Sequence, residues 1–429
     1  MLSIMGFSAS HLHHLVSPSE RQEIESHIAQ LSPTQFASHV DSGLPIGQMV
    51  QISVRWFLNS GNIATDPLAE QTFRHFLISG ALVGRAAQRL LAQKKPDTIY
   101  LLNGLFFEEQ ILIHLAREQG IHFVTHEGGF HADSKVFAHN GIAGYYDLAA
   151  VWPTYAQTPL TPAQHTQLTE YLQQRRTGGK DVAQYYPHLV SEQAEIITQL
   201  GLDTQRPILV AFSNILWDSA VLDRHEAFAS LEAWLTTTIE FAANHPQIQL
   251  IIRVHPAEIR LALRETRQKV GDFITQQFPH LPPNVRLIPA ESSISSYTLM
   301  ELAQVGLVYT STVGLEMTLM GKPVIVAGQT HYAHKGFTHQ PTNPATYTQL
   351  LAQAAELPPP TPAQLELAQR YAHLFFFRLM LPFPLVTALT NGRLRFNFET
   401  LAALRPGTTP LLDLVCEGIL HQRPFLLAD

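Results

Sequence analysis

Cysteine is almost absent from this sequence, and common metal-binding motifs are missing. The 429 residues include one cysteine, Cys416, so an intramolecular disulfide is excluded. Because Cys416 has no companion thiol, we expect it to be an inert core residue. The sequence contains 22 histidines but no HExxH pattern. Composition therefore gives no reason to expect a bound metal ion.

Charge and long apolar runs are also scarce. Charged residues make up 15% of the sequence and the net charge is −7, which argues against a general nucleic-acid-binding protein. The longest apolar stretch, residues 373–389, contains Arg378 and two prolines, so it is too interrupted to span a bilayer. The chain does not begin with a basic segment followed by an apolar run. We therefore expect no secretory signal and a cytoplasmic location.

What the sequence does contain is a series of short apolar strands that alternate with helices. Residues 1–95 are predicted to be mainly helical, with apolar residues three to four apart in 21–31 and 70–93. Two strand–helix–strand series follow, and this order predicts an α/β fold with parallel sheets. The predicted strands are residues 98–102, 121–125, 206–212, 249–254, 285–288, 307–309 and 324–327, with a further strand or its approach at 145–152.

The length of the chain predicts more than one domain, because 429 residues exceed one ordinary core. We predict an N-terminal α/β domain with a helical start and a linker at 1–195, and a second α/β domain at 196–364. Helices in 365–429 are predicted to pack back on the first domain, with Tyr371 and the aromatic residues 375–377 as interdomain core. The alternative is a membrane-surface helix, but Arg370 and Arg378 alone make a weak lipid-binding face.

Polar clusters follow almost every predicted strand. Ligands of open α/β sheets bind outside the carboxyl ends of the strands, so these clusters predict a ligand cleft between the two domains. The clusters are Asn103-Gly104, residues 126–129, Ser213-Asn214, His255-Pro256 and residues 310–312.

The turn after residues 307–309 combines three hydroxyl residues with the start of a short helix. The first N–H groups of a helix lack internal partners, and the helix dipole favours an anion there. Thr310, Ser311 and Thr312 therefore predict an anion site, where Gly314 allows close approach and Glu316 can reach a bound hydroxyl. The alternative is a capped helix in which Glu316 merely complements the dipole.

Three further clusters offer acid, base or stacking groups. His255 precedes a proline at the start of a helix and can donate to a phosphate, with Arg253 adding positive charge. The alternative for His255 is a helix-capping residue, and the alternative for Arg253 is an ordinary salt bridge. Glu127, followed by two glycines, can take a proton from a hydroxyl; the alternative is a solvated residue beside a turn whose glycines need positive φ. Trp217 and Asp218 offer a stacking surface and a second carboxylate, or an aromatic plug at the domain edge.

Taken together, these motifs resemble one known family. SNILWDSA at 213–220, RVHPAE at 253–258, SSYTLMELAQVGLVYTSTVGLEMTLMGKPVIVAG at 295–328 and YAHKGFT at 332–338 resemble the capsule polysaccharide biosynthesis and export family. That family includes the bacterial Kdo transferases. LLNGLFFEEQ at 101–110 and HEGGF at 126–130 resemble its N-terminal half. The HP motif is also similar to that of bacterial sialyltransferases that use CMP-activated sugars.

The resemblance implies a GT-B-like fold, in which two Rossmann-like domains with parallel sheets face each other across a cleft. It implies that the second domain holds the donor nucleotide, with His255 at the phosphate and Glu316 at the ribose or base. Glu127 would be the general base, although the sequence has His126 and Glu127 before glycine where the family usually has two acids. We assign catalysis to Glu127, with His126 and then Asp218 as substitutes, and nucleotide-sugar binding to Ser213, Asn214, Arg253, His255, Ser311, Thr312, Gly314 and Glu316.

The predicted function is an inverting, metal-independent transfer of a sugar from a nucleotide donor onto a bacterial surface polysaccharide or glycolipid. The donor would be CMP- or UDP-linked and its sugar similar to Kdo or sialic acid, and no other cofactor is expected. No DxD pair is present to hold a divalent cation. The expected partners are this donor and a glycan or glycolipid acceptor. Nucleic acid is not expected as a partner, and peripheral contact with the inner face of the membrane is left open. The alternatives are a nucleotide-sugar epimerase of the same two-domain fold and a non-catalytic glycan-assembly protein.

Overall fold

The computed structural model describes residues 11, 14–64, 66–131, 133–177, 189–219, 221–259, 266–388 and 393–428. Its contacts divide the chain into two compact units. The first unit comprises Met1–Gly128, Val136–Gly144 and Phe398–Phe425, and the second comprises Gly129–Lys135, Tyr145–Asn397 and Leu426–Asp429. Domain boundaries after residues 195 and 364 stay a prediction.

Helices and short strands alternate along most of the described chain. The helices are α1 (Pro18–Ala29), α2 (Ile46–Met49), α3 (Gln51–Leu58), α4 (Ala69–Lys94), α5 (Phe107–Gln119), α6 (Trp152–Tyr155), α7 (Pro162–Thr177), α8 (Gln193–Leu200), α9 (Leu231–Asn244), α10 (Val270–Gln277), α11 (Ser296–Leu302), α12 (Val313–Leu319), α13 (Pro344–Ala352), α14 (Pro362–His373) and α15 (Pro410–His421). The strands are β1 (Thr98–Leu101), β2 (His122–Gly128), β3 (Ser134–His139), β4 (Ile208–Phe212), β5 (Gln249–Arg253), β6 (Val285–Ile288), β7 (Val305–Val308), β8 (Val324–Val326), β9 (Leu381–Pro382), β10 (Val386–Ala388) and β11 (Leu394–Phe396).

The first unit is built around α4, a helix of 26 residues that packs against α1, α2, α3 and α5. Gly80 and Gly84 permit this close packing, since a Cβ atom at either position would lie 2.8 Å from a side chain of α2 or of the turn before it. Strand β1, helix α5 and strand β2 then form a βαβ unit with a parallel register that begins at Thr98 and His122. The predicted helical character of residues 1–95 is thus confirmed where the chain is described.

The second unit is organised by a five-stranded parallel sheet in the order β6-β5-β4-β7-β8. Strands β4, β5, β7 and β8 are buried along their whole length. Residues of α9, α10 and α13 share one apolar core with the sheet. Helix α12 packs directly on the sheet, because a Cβ atom at Gly306 of β7 would lie 2.4 Å from the sulfur of Met317. Burial on both faces explains the continuous apolar strand sequences. The α/β class and the parallel sheets expected of a GT-B-like chain are confirmed.

Some local predictions were wrong. Residues 145–152 form no strand, because the chain makes a 3₁₀ turn at Ala143–Tyr145 and enters α6 at Trp152. Cys416 lies exposed on α15 rather than in a core. The short strands β9, β10 and β11 fall in a region for which the sequence indicated only helices. No helix in the described ranges combines the length and the apolar character that crossing a bilayer requires.

The first helix of the predicted C-terminal segment 365–429 is α14, which begins at Pro362, before that segment. It starts with a capping box between Thr361 and Gln364, and Pro362 occupies its first turn. From Leu374–Leu379 it widens into a π-helical turn. Its aromatic residues Tyr371, Phe375 and Phe376 are fully buried, and within the second unit α14 packs against α6, α7 and α12. Their predicted position between domains stays a prediction.

Candidate functional site

The candidate site of the second unit lies where the order of its sheet reverses. From β4 the chain crosses to β5 on one side, whereas β7 lies on the other side of β4 and leads to β8. Ligands of open α/β sheets bind at the carboxyl ends of strands at such a switch point. Here the residues after β4 and β7 are joined, because the N–H of Thr310 donates to Oδ1 of Asn214 at 3.2 Å. The N–H of His255 donates to Oγ of Ser213 at 3.2 Å, which joins the carboxyl end of β5 to the carboxyl end of β4.

His255 is positioned by the short 3₁₀ turn Pro256–Ile259 that follows it. Its Nδ1 accepts a hydrogen bond from the N–H of Ala257 at 3.1 Å, so the neutral ring carries its hydrogen on Nε2. Burial, with the nearby positive charge of Arg253 as a second cause, lowers the pKa of His255 to about 4. His255 is therefore neutral at pH 7, with Nε2–H as its hydrogen-bond donor. Nδ1 of His255 thus caps the 3₁₀ turn, as the helix-cap alternative expected, whereas the predicted hydrogen bond to a phosphate concerns Nε2–H.

Arg253 is buried beneath this edge rather than presented at it. Its side chain is 2% exposed, and its guanidinium donates to the backbone carbonyls of Pro289 at 2.7 Å and Ser292 at 3.0 Å. These bonds hold the loop after β6 against the end of β5. They differ from the salt bridge that the sequence offered as an alternative, and a direct contact between Arg253 and a nucleotide stays a prediction.

The turn at residues 310–312 uses only some of its backbone donors. The N–H of Thr310 is taken by Asn214, and the N–H of Val313 donates to Oγ of Ser311 at 3.2 Å. Within the described ranges, the N–H groups of Ser311 and Thr312 make no hydrogen bond to the protein, and the buried Oγ1 of Thr310 has no partner. Because α12 has seven residues, its dipole is short, and these specific donors are a better basis for an anion site than the dipole.

Gly314 is required by packing inside the protein. A Cβ atom at this position would lie 2.3 Å from the phenol oxygen of Tyr332. The Tyr332 hydroxyl donates to the carbonyl of Ser311, so this fully buried ring holds the turn from below. The close approach predicted for Gly314 is therefore made by Tyr332, and a further approach by a ligand stays a prediction.

Glu316 belongs to a buried network. Its Oε1 accepts from Nη2 of Arg175 at 2.9 Å, and the side chains are 5% and 10% exposed respectively. Its Oε2 accepts from the hydroxyl of Tyr297 at 2.5 Å. Burial is the largest single influence and lowers the pKa of Arg175, but Glu316, Tyr297 and Tyr171 together raise it by more, so this arginine is a permanent cation. The predicted contact of Glu316 with a ribose or base is not tested by this arrangement.

The network extends into aromatic side chains of the second unit. The Arg175 guanidinium lies 5.4 to 5.9 Å from the ring centres of Phe130, Tyr171 and Phe376. Contacts of a cation with the faces of aromatic rings are favourable and so stabilise the guanidinium where it lies. Helix α7, which carries Arg175, is thereby tied to α12, which carries Glu316.

Trp217 and Asp218 follow Ser213 and Asn214 in a buried turn. Trp217 is 1% exposed, so its ring is a packing residue rather than an open stacking surface. Asp218 is half-buried, and its backbone carbonyl accepts from the N–H groups of Val221 and Leu222. A catalytic role for its carboxylate stays a prediction.

In the first unit, His126 and Glu127 lie near the end of β2, which runs three residues further than Thr125. Nδ1 of His126 donates to the carbonyl of Leu101 at 2.8 Å, and its ring stacks on Tyr100 with centroids 4.9 Å apart. Oε1 of Glu127 accepts from the N–H of Gly128 at 2.7 Å. Successive residues of a strand point to opposite faces, so His126 and Glu127 serve different faces of the sheet.

The glycines after Glu127 do not serve the purpose that the alternative gave them. Neither Gly128 nor Gly129 has positive φ. A Cβ atom at Gly129 would lie 2.1 Å from the hydroxyl of Ser134, so packing requires this glycine. Nothing lies within 4 Å of the corresponding position at Gly128. The assignment of Glu127 as the general base stays a prediction.

Three residues with clear roles in the second unit were not singled out from the sequence. They are Arg175, His331 and Tyr332, whereas Tyr371 was predicted only as a core residue. The motif at 332–338 carried a signal for Tyr332, but long-range contacts give the others their roles. No group of three or more His, Cys, Asp or Glu residues within the described ranges is arranged to hold a metal ion.

Comparison with known proteins agrees with the family resemblance over part of the chain. Residues 151–358 match the family model described as "Capsule polysaccharide biosynthesis protein". This match contains every candidate residue of the second unit and confirms the family resemblance that the motifs indicated. No curated protein matches the chain.

Several solved structures are similar at low identity. One is the Thermosulfurimonas dismutans KpsC, beta Kdo 2,4 transferase, with 16% identity over 70% of this chain and 84% of that chain and a TM-score of 0.39. The beta Kdo 2,7 transferase of the same KpsC has 15% identity over 73% of this chain and 85% of that chain, with a TM-score of 0.40. The UDP-GlcNAc 2-epimerase from Neisseria meningitidis has 14% identity over 68% of this chain and 79% of that chain, with a TM-score of 0.31.

Proposed function

We propose that this protein is a glycosyltransferase that moves a sugar from a nucleotide donor onto a bacterial surface polysaccharide or glycolipid. The observation that carries the proposal is the junction of Ser213, Asn214, His255 and Thr310 at the switch point of the parallel sheet. This junction lies inside the segment that matches the capsule polysaccharide biosynthesis family. Polar groups at a switch point are where an α/β sheet binds its ligand.

The donor phosphate is held by neutral donors in this proposal. Nε2–H of His255 and the N–H groups of Ser311 and Thr312 supply hydrogen bonds to phosphate oxygens. When the acceptor oxygen bonds to the anomeric carbon, the bond from that carbon to the phosphate oxygen breaks, and negative charge grows on the leaving phosphate. Fixed donors stabilise that charge more in the transition state than in the ground state. The proposal requires no metal ion and no cofactor besides the nucleotide sugar.

The acceptor hydroxyl also needs a base that removes its proton during inverting transfer. We assign this role to Glu127 of the first unit, with His126 as the second candidate and Asp218 as the third. The donor is CMP- or UDP-linked, with a sugar similar to Kdo or sialic acid. Its use on surface glycans fits a cytoplasmic location at the inner face of the membrane.

The first test is a calorimetric titration with CMP and UDP. His255→Ala should weaken binding of the preferred nucleotide by roughly 1.5–3 kcal/mol, the usual value of a charge-assisted hydrogen bond. His245→Ala is the matched control, because His245 caps α9 before β5 starts and therefore lies near the opposite edge of the sheet. Equal affinity in wild type and His255→Ala would make His255 a structural residue only.

The second test separates transfer from epimerisation. The protein is incubated with nucleotide sugars, once with and once without a glycan acceptor. Transfer requires the acceptor and releases nucleotide. Epimerised donor in the absence of acceptor would refute the transferase proposal in favour of the epimerase alternative.

A further inference from the structure

His331 is fixed in one tautomer by a closed pair of hydrogen bonds. The hydroxyl of Tyr371 donates to the backbone carbonyl of His331 at 2.6 Å. Nδ1 of His331 lies 3.1 Å from the same hydroxyl. Because the single phenol hydrogen is used on the carbonyl, the hydroxyl oxygen accepts from Nδ1–H. Nε2 of His331 therefore carries no hydrogen and presents a lone pair.

The surroundings keep this ring neutral and fix its orientation. It stacks on Phe375 with centroids 4.1 Å apart and meets the rings of Tyr146 and Tyr332 edge to face. Burial, with the charges of Arg224 and Lys335 as smaller causes, lowers the pKa of His331 to about 3. At neutral pH, Nε2 can consequently act only as a hydrogen-bond acceptor.

Nε2 of His331 is buried and has no hydrogen-bond partner in the described part of the chain. A buried polar atom without a partner costs free energy, and its presence in a folded protein calls for a ligand or a water molecule to satisfy it. Tyr146, whose ring faces His331, has a φ of 52°, an unfavourable backbone conformation for a bulky residue that often marks a functional site.

The position of His331 links this lone pair to the candidate site. The adjacent Tyr332 donates to the carbonyl of Ser311, so the residue next to His331 in sequence contacts the turn at residues 310–312. Thr310 in that turn also has a buried hydroxyl without a partner. The two residues that carry these atoms, Thr310 and His331, each adjoin in sequence one partner of the Ser311–Tyr332 hydrogen bond.

We infer that Nε2 of His331 accepts a hydrogen bond from an O–H or N–H group of the glycosyl donor and so helps to select its substrate. The inference rests on the proposed function. A phosphate oxygen is excluded as the partner because it would oppose one acceptor with another. The partner is therefore a hydroxyl or amide of the sugar, or an amino or imino group of the nucleotide base. A site that binds such a donor group rejects ligands that lack it.

The test uses two substitutions that keep different halves of the imidazole. His331→Asn places an amide near the position of Nδ1, facing Tyr371, and leaves the position of Nε2 empty. His331→Gln reaches the position of Nε2. Each variant and the wild type are titrated with CMP, UDP, CMP-N-acetylneuraminate and UDP-N-acetylglucosamine, and thermal unfolding verifies that each is folded. If His331→Asn does not fold, His331→Phe, which keeps the stacking on Phe375, takes its place.

If the sugar supplies the group, His331→Asn should weaken binding of the preferred nucleotide sugar about tenfold or more and leave the bare nucleotide unchanged. If the base supplies it, the affinities for both should fall together. In either case His331→Gln should retain most of the wild-type affinity. Wild-type affinities for all four ligands in His331→Asn would overturn the inference alone and leave Nε2 to a water molecule. Failure of the wild type to bind any of the four would refute the proposed function, and the inference with it.

Discussion

Glu127 has the most demanding chemical role of any residue in the proposed mechanism. Its Oε1 accepts from the N–H of Gly128, a bond that the amide oxygen of glutamine can also accept. Glu127→Gln therefore keeps the local shape and removes the proton acceptor. We expect turnover to fall about 10²–10⁴-fold, the usual contribution of a general base, while nucleotide affinity holds. Steady-state rates with a glycan acceptor and calorimetry with the nucleotide measure the two effects.

Glu118→Gln is the matched control for this experiment, because Glu118 is an exposed residue near the end of α5 in the same unit. It should change neither turnover nor affinity. Near-normal turnover in Glu127→Gln would contradict the assignment. His126 and Asp218 would then be substituted in the same assay.

At the residue scale, the local sequence pattern predicted where a residue lies in the fold better than it predicted which residues it contacts. The sequence placed Ser213, Asn214 and His255 at strand ends because apolar runs end where polar residues begin, and the structure joins them there. It gave no indication of the partner of Glu316, because Arg175 lies 141 residues away in the chain. Ion pairs between distant residues depend on how helices pack, and periodicity does not encode that packing.

At the scale of elements, the contact between α7 and α12 combines a buried charge pair with aromatic packing. Arg175→Met leaves the carboxylate of Glu316 buried beside the hydroxyl of Tyr297 without its cation. Breaking a buried ion pair in this way typically costs about 3–5 kcal/mol of folding free energy. We therefore expect Arg175→Met to lower the midpoint of urea unfolding, as followed by circular dichroism.

A double variant distinguishes charge from packing. Glu316→Gln removes the uncompensated charge, so Arg175→Met with Glu316→Gln should recover most of the stability that Arg175→Met loses. If the double variant is as unstable as Arg175→Met alone, the guanidinium contributes by packing against its three rings rather than by pairing with Glu316.

Elements with a strong period were predicted well, and short or irregular ones were not. The strands of the five-stranded sheet are mainly apolar, and each was predicted to within about two residues. Residues 145–152 are also apolar and aromatic, but Tyr146 adopts positive φ, which a strand does not contain. Within the described ranges, strands β10 and β11 pair only with each other, and three residues in each carry too little pattern to be recognised.

At the scale of the whole molecule, two kinds of buried titratable group act on stability in opposite directions. His255 and His331 have pKa values lowered by burial to about 4 and about 3. Their contribution is present above pH 6.5 and is lost as the pH falls through these values, because the unfolded chain then binds more protons. Burial raises the pKa of Glu258 to about 7. Its contribution is present below pH 4.5 and is lost as the pH rises through 7.

Substitution of Glu258 isolates one limb of this pH dependence. Its Oε1 accepts from the N–H of Val270 at 2.7 Å at the start of α10, and glutamine can accept the same bond without ionising. Between pH 4.5 and 8, the stability of Glu258→Gln should therefore fall less than that of the wild type as the pH rises. The histidines act between their lowered pKa values and pH 6.5 in both proteins, so below pH 4.5 the two stability curves should run parallel. Urea midpoints measured at half-unit steps from pH 3 to 8 provide the comparison, and curves that are parallel over the whole range would mean that Glu258 ionises in the folded protein as it does in the unfolded chain.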